Sequence, residues 1–234
     1  MAQLKITRET ILSGALHESA RALLGPATRF MTPEERARQL AEMLARAPRH
    51  GRIWVFGYGS LMWNPAFHFA ERRSALLHGY HRRFCLWSRA GRGSPSRPGL
   101  MLALEPGGSC HGVAYRLPRG AVETELDVIW RREMLTMAYR PAWVRVRTPK
   151  GTEPAIAFVA NRGHERYVRE LDSEAIVYYL ATGAGPLGRC SDYLFDAVAH
   201  LEKLGIRDRR LEALARRVRA ANHAARACAP TSAS

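Results

Sequence analysis

Three observations predict an α+β fold for this chain of 234 residues, with a small mixed β-barrel or curled sheet surrounded by helices. Six short runs rich in β-branched and aromatic residues lie between residues 52 and 160. Helical segments interrupt these runs without alternating regularly with them. The hydrophobic content of 47% is enough to fill the core of one sizeable domain.

The first 50 residues are predicted to form an N-terminal arm with one helix. Thr32 is a suitable N-cap, Pro33 follows it, and apolar residues recur at helical spacing through 32–48. The preceding 30 residues have weak periodicity, so we expect an arm that packs on the surface or is partly disordered.

The candidate strands follow in the order "RIWVFGY", "SALLHGYHRRFCLW", "LMLALE", "HGVAYRL", "AWVRVRT" and "PAIAFVA". The Gly-, Pro- and Ser-rich stretch 88–99 predicts an irregular connection or a lid. After residue 172 three capped or basic helical patterns complete the chain. These patterns suggest an arm of residues 1–50, a main domain of 51–210, and a basic C-terminal helix and tail of 211–234.

The formal net charge of +15 could indicate a nucleic-acid-binding protein. However, the excess Lys and Arg residues are spread along the chain without a known binding motif, so nucleic acid is not the expected partner. No apolar stretch approaches the roughly 18 residues of a membrane span, and "MAQLKITRET" lacks the apolar core of a signal peptide. We therefore expect a cytoplasmic protein that does not enter the membrane.

The cysteines and histidines predict no metal centre. Cys85, Cys110, Cys190 and Cys228 lie far apart without a C-x-x-C pair, so we expect reduced thiols, mostly in the core. The histidines have no partners at metal-ligand spacing.

The stretch "FGYGSL", residues 56–61, places two glycines directly after an apolar strand. A dinucleotide fingerprint requires a third glycine where Met62 stands, and a nucleophile elbow requires glycines where Tyr58 and Met62 flank Ser60. Two interpretations stay open: a structural turn, or a loop whose backbone N–H groups bind an anion or a developing negative charge.

Glu133 is the candidate catalytic residue. At about 100° per residue it falls in the middle of the apolar stripe formed by Leu126, Ile129 and Trp130. Burial would raise the pKa of such a carboxyl toward values useful in proton transfer. The alternatives are a structural glutamate paired with an arginine, or a helix that ends before residue 133.

The combination of these motifs resembles the ChaC-like γ-glutamylcyclotransferase family. The matching segments appear in family order over residues 52–210 and include "WVFGYGSLMWNPAF", "LHGYHRRFCLWS", "RGSPSRPG", "HGVAYRL", "ELDVIWRREM" and "GPLGRCSDYLFDAVAHLEKLGIRD". The resemblance implies a γ-glutamylcyclotransferase-like barrel and a cofactor-free conversion of glutathione to 5-oxoproline and cysteinylglycine. It also implies that Glu133 is the general acid and base.

Substrate binding is assigned, by the same resemblance, to Tyr58, Gly59, Ser60, Leu61, Arg92 and Tyr193. The stretch 91–96 departs from the family pattern, so a cyclotransferase acting on other γ-glutamyl amines is an alternative. A non-catalytic anion- or nucleic-acid-binding protein on the same fold is the alternative from a different functional class.

Overall fold

The computed structural model describes residues 4–48 and 51–227. Three helices precede the barrel: α1 (Arg8–Leu12), α2 (Ala15–Leu24) and α3 (Pro33–Ala45). The prediction of a single helix in this part is therefore wrong, although α3 begins at its predicted Thr32 cap. Helix α1 has only five residues, and Gly14, at φ 84°, separates it from α2. Segments this short carry little periodic signal.

The α+β prediction agrees with the structure, in which five strands form a closed barrel in the order β1-β3-β2-β4-β5. Strand β5 pairs parallel with β1, and the other neighbours around the ring are antiparallel. The strands are β1 (Trp54–Gly57), β2 (Glu71–Ser88), β3 (Gly99–Arg116), β4 (Tyr139–Thr148) and β5 (Gly151–Ala160). Closure removes the free sheet edges that would invite association.

Strand β3 joins two runs that the sequence predicts as separate strands. The turn-forming residues between them suggest a break, yet pairing with β2 continues on both sides. The register shifts between His78 and Tyr80, where Gly79 has a φ of 83°. Opposite it, Gly107 and Gly108 have φ angles of 100° and 69°. The glycines let the two strands bend together around the barrel, which is the usual effect of a β-bulge.

The remaining helices cover the outside of the barrel. They are α4 (Val122–Glu133), α5 (Ser173–Thr182), α6 (Cys190–Lys203) and α7 (Arg209–Ala227), with a small hairpin of β6 (Ala184–Gly185) and β7 (Gly188–Arg189) before α6. Helix α7 packs against α5 and α6 and buries Leu211, Ala215 and Val218. In the described ranges, no helix has the length and apolar character needed to cross a membrane.

Three cysteines, Cys85, Cys110 and Cys190, are buried free thiols, as predicted. Cys228 lies outside the described residues.

A buried ion pair fastens the N-terminal segment to α4. Arg8 binds both carboxylate oxygens of Glu125, at 2.5 and 2.9 Å. The Glu125 side chain is only 2% exposed, and the His68 backbone N–H also donates to it. Burial alone would raise the pKa of Glu125, but the Arg8 and His68 contacts outweigh it and lower the pKa.

Substituting Arg8→Met should lower the free energy of unfolding by about 2 kcal/mol at neutral pH, because it leaves a buried carboxylate without its guanidinium. Denaturant unfolding measures the loss. The pKa of Glu125 is depressed in the folded protein. The difference in the free energy of unfolding between wild type and Arg8→Met should therefore shrink as the pH falls through the pKa of Glu125 in the folded protein. The matched control is Arg29→Met: Arg29 is 71% exposed, and its pair with Glu35 should contribute about 0–1 kcal/mol. Equal losses in the two variants would contradict the fastening role.

Candidate active site

A cavity of about 160 Å³ lies beside the end of β1 and the C-terminus of α4. Every residue that the sequence analysis assigns to the site lines it: Tyr58, Gly59, Ser60, Leu61, Arg92, Glu133 and Tyr193. The structure therefore brings together the glycine loop and a glutamate more than 70 positions away along the chain. The individual roles of these residues stay predictions.

Steric contacts explain the glycines of the loop that follows β1. A Cβ at Gly57 would lie 2.9 Å from the Leu61 Cβ, and a Cβ at Gly59 would lie 2.6 Å from the Tyr193 hydroxyl. Such distances are too short for real carbon contacts, so both positions require close approach. The backbone N–H groups of Gly59, Ser60 and Leu61 make no hydrogen bond to the described part of the chain. The turn is thus sterically constrained, and its free donors belong to residues that line the cavity.

Glu133 is the last residue of α4, and its side chain is 15% exposed. Its carboxylate Oε1 lies 2.9 Å from the Arg132 Nε. Arg132 also donates through Nη2 to the Ser60 Oγ at 2.8 Å and through Nη1 to the Asn64 carbonyl. Glu133 therefore combines two of the interpretations that the sequence left open: its carboxylate pairs with an arginine, and it also faces the cavity. Arg132 was not predicted, because its position next to Glu133 on the helix gives it no separate pattern.

The surroundings of Glu133 favour the protonated form of its carboxyl more than water does. Burial raises the pKa of its carboxyl, and the Arg132 guanidinium opposes this shift without cancelling it. Among the described residues that line the cavity, Glu133 has the sole carboxylate. Burial also raises the pKa of Cys85 to about 12 and that of Cys190 to about 11, so neither thiol is suited to nucleophilic attack.

Three tyrosines face the cavity with different hydrogen bonding. The Tyr58 hydroxyl donates to the Phe158 carbonyl at 2.6 Å, and the Tyr139 hydroxyl donates to the Leu102 carbonyl at 2.9 Å. The hydroxyl of Tyr193 makes no hydrogen bond within residues 4–48 and 51–227. Tyr193 therefore keeps a donor for a ligand, while Tyr58 and Tyr139 are held by the barrel. Tyr139 was not predicted, since no motif distinguishes it.

Arg92 reaches the cavity from the 88–99 connection. Its backbone N–H donates to the Ser88 Oγ at 3.1 Å. Its guanidinium lies 3.4 Å from the Arg189 carbonyl and 4.0 Å from an oxygen of Asp196. These contacts are long, so the charge of Arg92 is only loosely neutralised by the protein.

Comparison with known proteins identifies the family. The profile of the ChaC-like protein family matches residues 53–221. The chain belongs to the ChaC-like family. The resemblance inferred from the motifs is thus confirmed, over slightly more of the chain than the motifs cover.

Several relatives of this ChaC-like protein have been described. A glutathione-specific γ-glutamylcyclotransferase of Escherichia coli K12 is 45% identical over 211 residues, 87% of each chain. γ-Glutamylcyclotransferase 2-3 of Arabidopsis thaliana is 32% identical and covers 71% of this chain and 88% of its own. The crystal structure of a yeast γ-glutamylcyclotransferase specific to glutathione shares the fold, with a TM-score of 0.68 and 23% identity over 74% of this chain and 98% of that one.

The ChaC-like protein also uses residues from outside the family profile to build its cavity. The profile begins at residue 53, yet four apolar side chains of the N-terminal segment line the cavity: Ile6, Leu16, Ala20 and Leu24. Their sequence predicts no role for them, because isolated apolar residues in short helices carry no motif.

Substituting Gly59→Ala should lower the free energy of unfolding by about 1–3 kcal/mol, because the new Cβ meets the Tyr193 hydroxyl at 2.6 Å. Tyr193→Phe in the same chain should recover most of this loss, since the next ring atom lies 3.7 Å away, an ordinary contact. Denaturant unfolding of both single variants and the double variant measures the coupling. Strictly additive losses would contradict the steric account.

Proposed function

We propose that this protein is a glutathione-specific γ-glutamylcyclotransferase, which converts glutathione into 5-oxoproline and cysteinylglycine. The observation that supports it most strongly is the Glu133 carboxylate, with its raised pKa, in one cavity with the free N–H groups of residues 59–61. The E. coli relative, 45% identical over 87% of each chain, has the same activity in its name.

The substrate supplies its own nucleophile in this reaction. The α-amine of the γ-glutamyl group can reach the γ-carbonyl carbon and close a five-membered ring. The site therefore needs a base for the α-ammonium and donors for the carbonyl oxygen, but no attacking serine or cysteine. This agrees with Ser60, whose Oγ is an acceptor for Arg132, and with the high pKa values of Cys85 and Cys190.

The proton balance passes through Glu133 alone. Its carboxylate takes one proton from the α-ammonium, and the freed amine nitrogen bonds to the γ-carbonyl carbon. The bond between that carbon and the cysteinyl nitrogen then breaks, and Glu133 gives the proton to this nitrogen. The ring nitrogen still carries one proton more than the lactam product, and Glu133 removes this second proton and passes it to the released cysteinylglycine amine, which leaves as an ammonium. The carboxylate is regenerated and no water is consumed. A pKa above the usual glutamate value suits a group that must both accept and donate near neutral pH.

The other lining residues bind and orient the substrate. The N–H groups of residues 59–61 stabilise the oxygen on which negative charge develops, or a substrate carboxylate. The free hydroxyl of Tyr193 adds a donor next to Gly59. Arg92 attracts the anionic substrate from the 88–99 connection. Holding amine and carbonyl in a folded conformation supplies a further part of the rate.

Arg132 is a positioning residue in this proposal. Its guanidinium holds the Glu133 carboxylate at one end and the Ser60 hydroxyl at the other, so base and donor loop keep a fixed separation. Its side chain is 4% exposed, which shields the ion pair from water.

Substituting Glu133→Gln should reduce kcat for glutathione by about 10²–10⁴-fold, because the amide cannot take the proton from the α-ammonium. Chromatographic measurement of 5-oxoproline follows the reaction. The control is Glu123→Gln, on the exposed face of the same helix, which should leave the rate unchanged. A Glu133→Gln variant that releases 5-oxoproline at the wild-type rate would exclude Glu133 as the base.

Substituting Arg132→Met should move the acidic limb of the kcat/KM profile to higher pH. Arg132 lowers the pKa of Glu133, and without it burial acts unopposed, so the base is protonated at a higher pH. Initial rates between pH 4 and 9 define the limb. Arg131→Met is the control, because Arg131 pairs with Asp127 instead. A limb that stays in place or moves to lower pH would contradict this assignment.

A further inference from the structure

The N-terminal segment, residues 4–24, forms one wall of the cavity that holds Glu133. The four side chains it contributes are Ile6, Leu16, Ala20 and Leu24, and all of them are apolar. Leu16 and Ala20, on the inner face of α2, are buried at 9% and 3% exposure. On the other face of the same helix Ala22 is exposed. Helix α2 thus turns a specific apolar face toward the site.

Contacts at several points hold this segment in place. The Leu4 N–H donates to the Pro186 carbonyl at 3.0 Å, beside the 88–99 connection. The Asn64 side-chain amide donates to the Ile6 carbonyl at 2.8 Å, just after the glycine loop. Arg8 adds the buried ion pair with Glu125. The segment therefore spans the cavity between its two loops, and its position is fixed relative to both.

The chemistry of glutathione indicates which part of the substrate meets this wall. The γ-glutamyl end carries an ammonium and a carboxylate, and the glycine end carries a second carboxylate, so both ends need polar or charged partners. The cysteinyl side chain is the uncharged part that loses little when it leaves water. An apolar wall can accommodate this part without leaving a charged group unpaired.

We propose that the N-terminal segment is a specificity-determining part of the active site, whose apolar wall contacts the cysteinyl side chain and limits the size of the group accepted there. This inference rests on the proposed cyclotransferase function. It gives residues outside the family profile a direct contact with substrate. The wall also keeps water away from Glu133, in agreement with the burial that raises the pKa of this carboxyl.

The test compares two identical substitutions on opposite faces of α2. Ala20→Leu adds three carbon atoms on the cavity face, whereas Ala22→Leu adds them on the exposed face. Alanine and leucine are both strong helix formers, so either substitution should preserve the helix. With full-length protein and the 5-oxoproline assay, Ala20→Leu should reduce kcat/KM for glutathione about 10-fold, mainly through KM, and for S-methylglutathione still further. Ala22→Leu should stay within about twofold of wild type for both substrates.

A second pair of variants enlarges the cavity. Leu24→Ala should raise the kcat/KM ratio of S-butylglutathione to glutathione about fivefold, because the wall recedes from the S-substituent. Leu23→Ala is the control, since Leu23 does not line the cavity. If circular dichroism shows that Ala20→Leu does not fold, the comparison of Leu24→Ala with Leu23→Ala tests the inference by itself.

Equal kcat/KM values for Ala20→Leu and Ala22→Leu would overturn the inference. So would equal kcat/KM ratios of S-butylglutathione to glutathione for Leu24→Ala and Leu23→Ala. In both cases the wild type would still release 5-oxoproline, so the proposed function would stand. A wild type that releases no 5-oxoproline from any γ-glutamyl substrate would overturn the function, and the inference with it.

Discussion

The guanidinium of Arg132 makes the interaction on which the site depends. It pairs with the Glu133 carboxylate at 2.9 Å and donates to the Ser60 hydroxyl at 2.8 Å, and thereby joins the end of α4 to the loop after β1. Without this bridge, the Glu133 carboxylate would lose the guanidinium that lowers its pKa, and its pKa would rise further. With it, the rise that burial causes in the pKa of Glu133 is partly offset, and the carboxylate lies in one cavity with the residues of the free backbone donors.

The barrel supplies the rigidity that this bridge requires. Strand β1 is fully buried and pairs with β3 on one side and β5 on the other, so the loop at its end begins from a fixed point. The Tyr193 hydroxyl, on α6, leaves no room for a Cβ at position 59, so the glycine lets the loop pack closely against α6. Because the substrate brings its own amine nucleophile, such a site can dispense with a reactive serine or cysteine. Precise placement of one base and a few donors is sufficient for the proposed chemistry.

The sequence predicted the parts of this arrangement that have a local signature. Strand β1 and its glycines, the cap of α3, and the inward position of Glu133 all follow from spacing along a few neighbouring residues. Arg132 and Tyr139 were missed because their roles depend on long side chains reaching residues that only the tertiary fold brings near. The wall formed by Ala20 and Leu24 was missed for the same reason. The continuous strand β3 was misjudged because glycines that normally end a strand here bend it.

The most direct test of the central claim is a crystal structure of the Glu133→Gln variant with unreacted glutathione. The account predicts the γ-carbonyl oxygen within hydrogen-bond distance of the N–H groups of residues 59–61, and the α-ammonium nitrogen next to the residue 133 side chain. It also predicts the cysteinyl side chain against Ala20 and Leu24. Glutathione bound outside this cavity, or bound in it with the α-ammonium directed away from residue 133, would contradict the account.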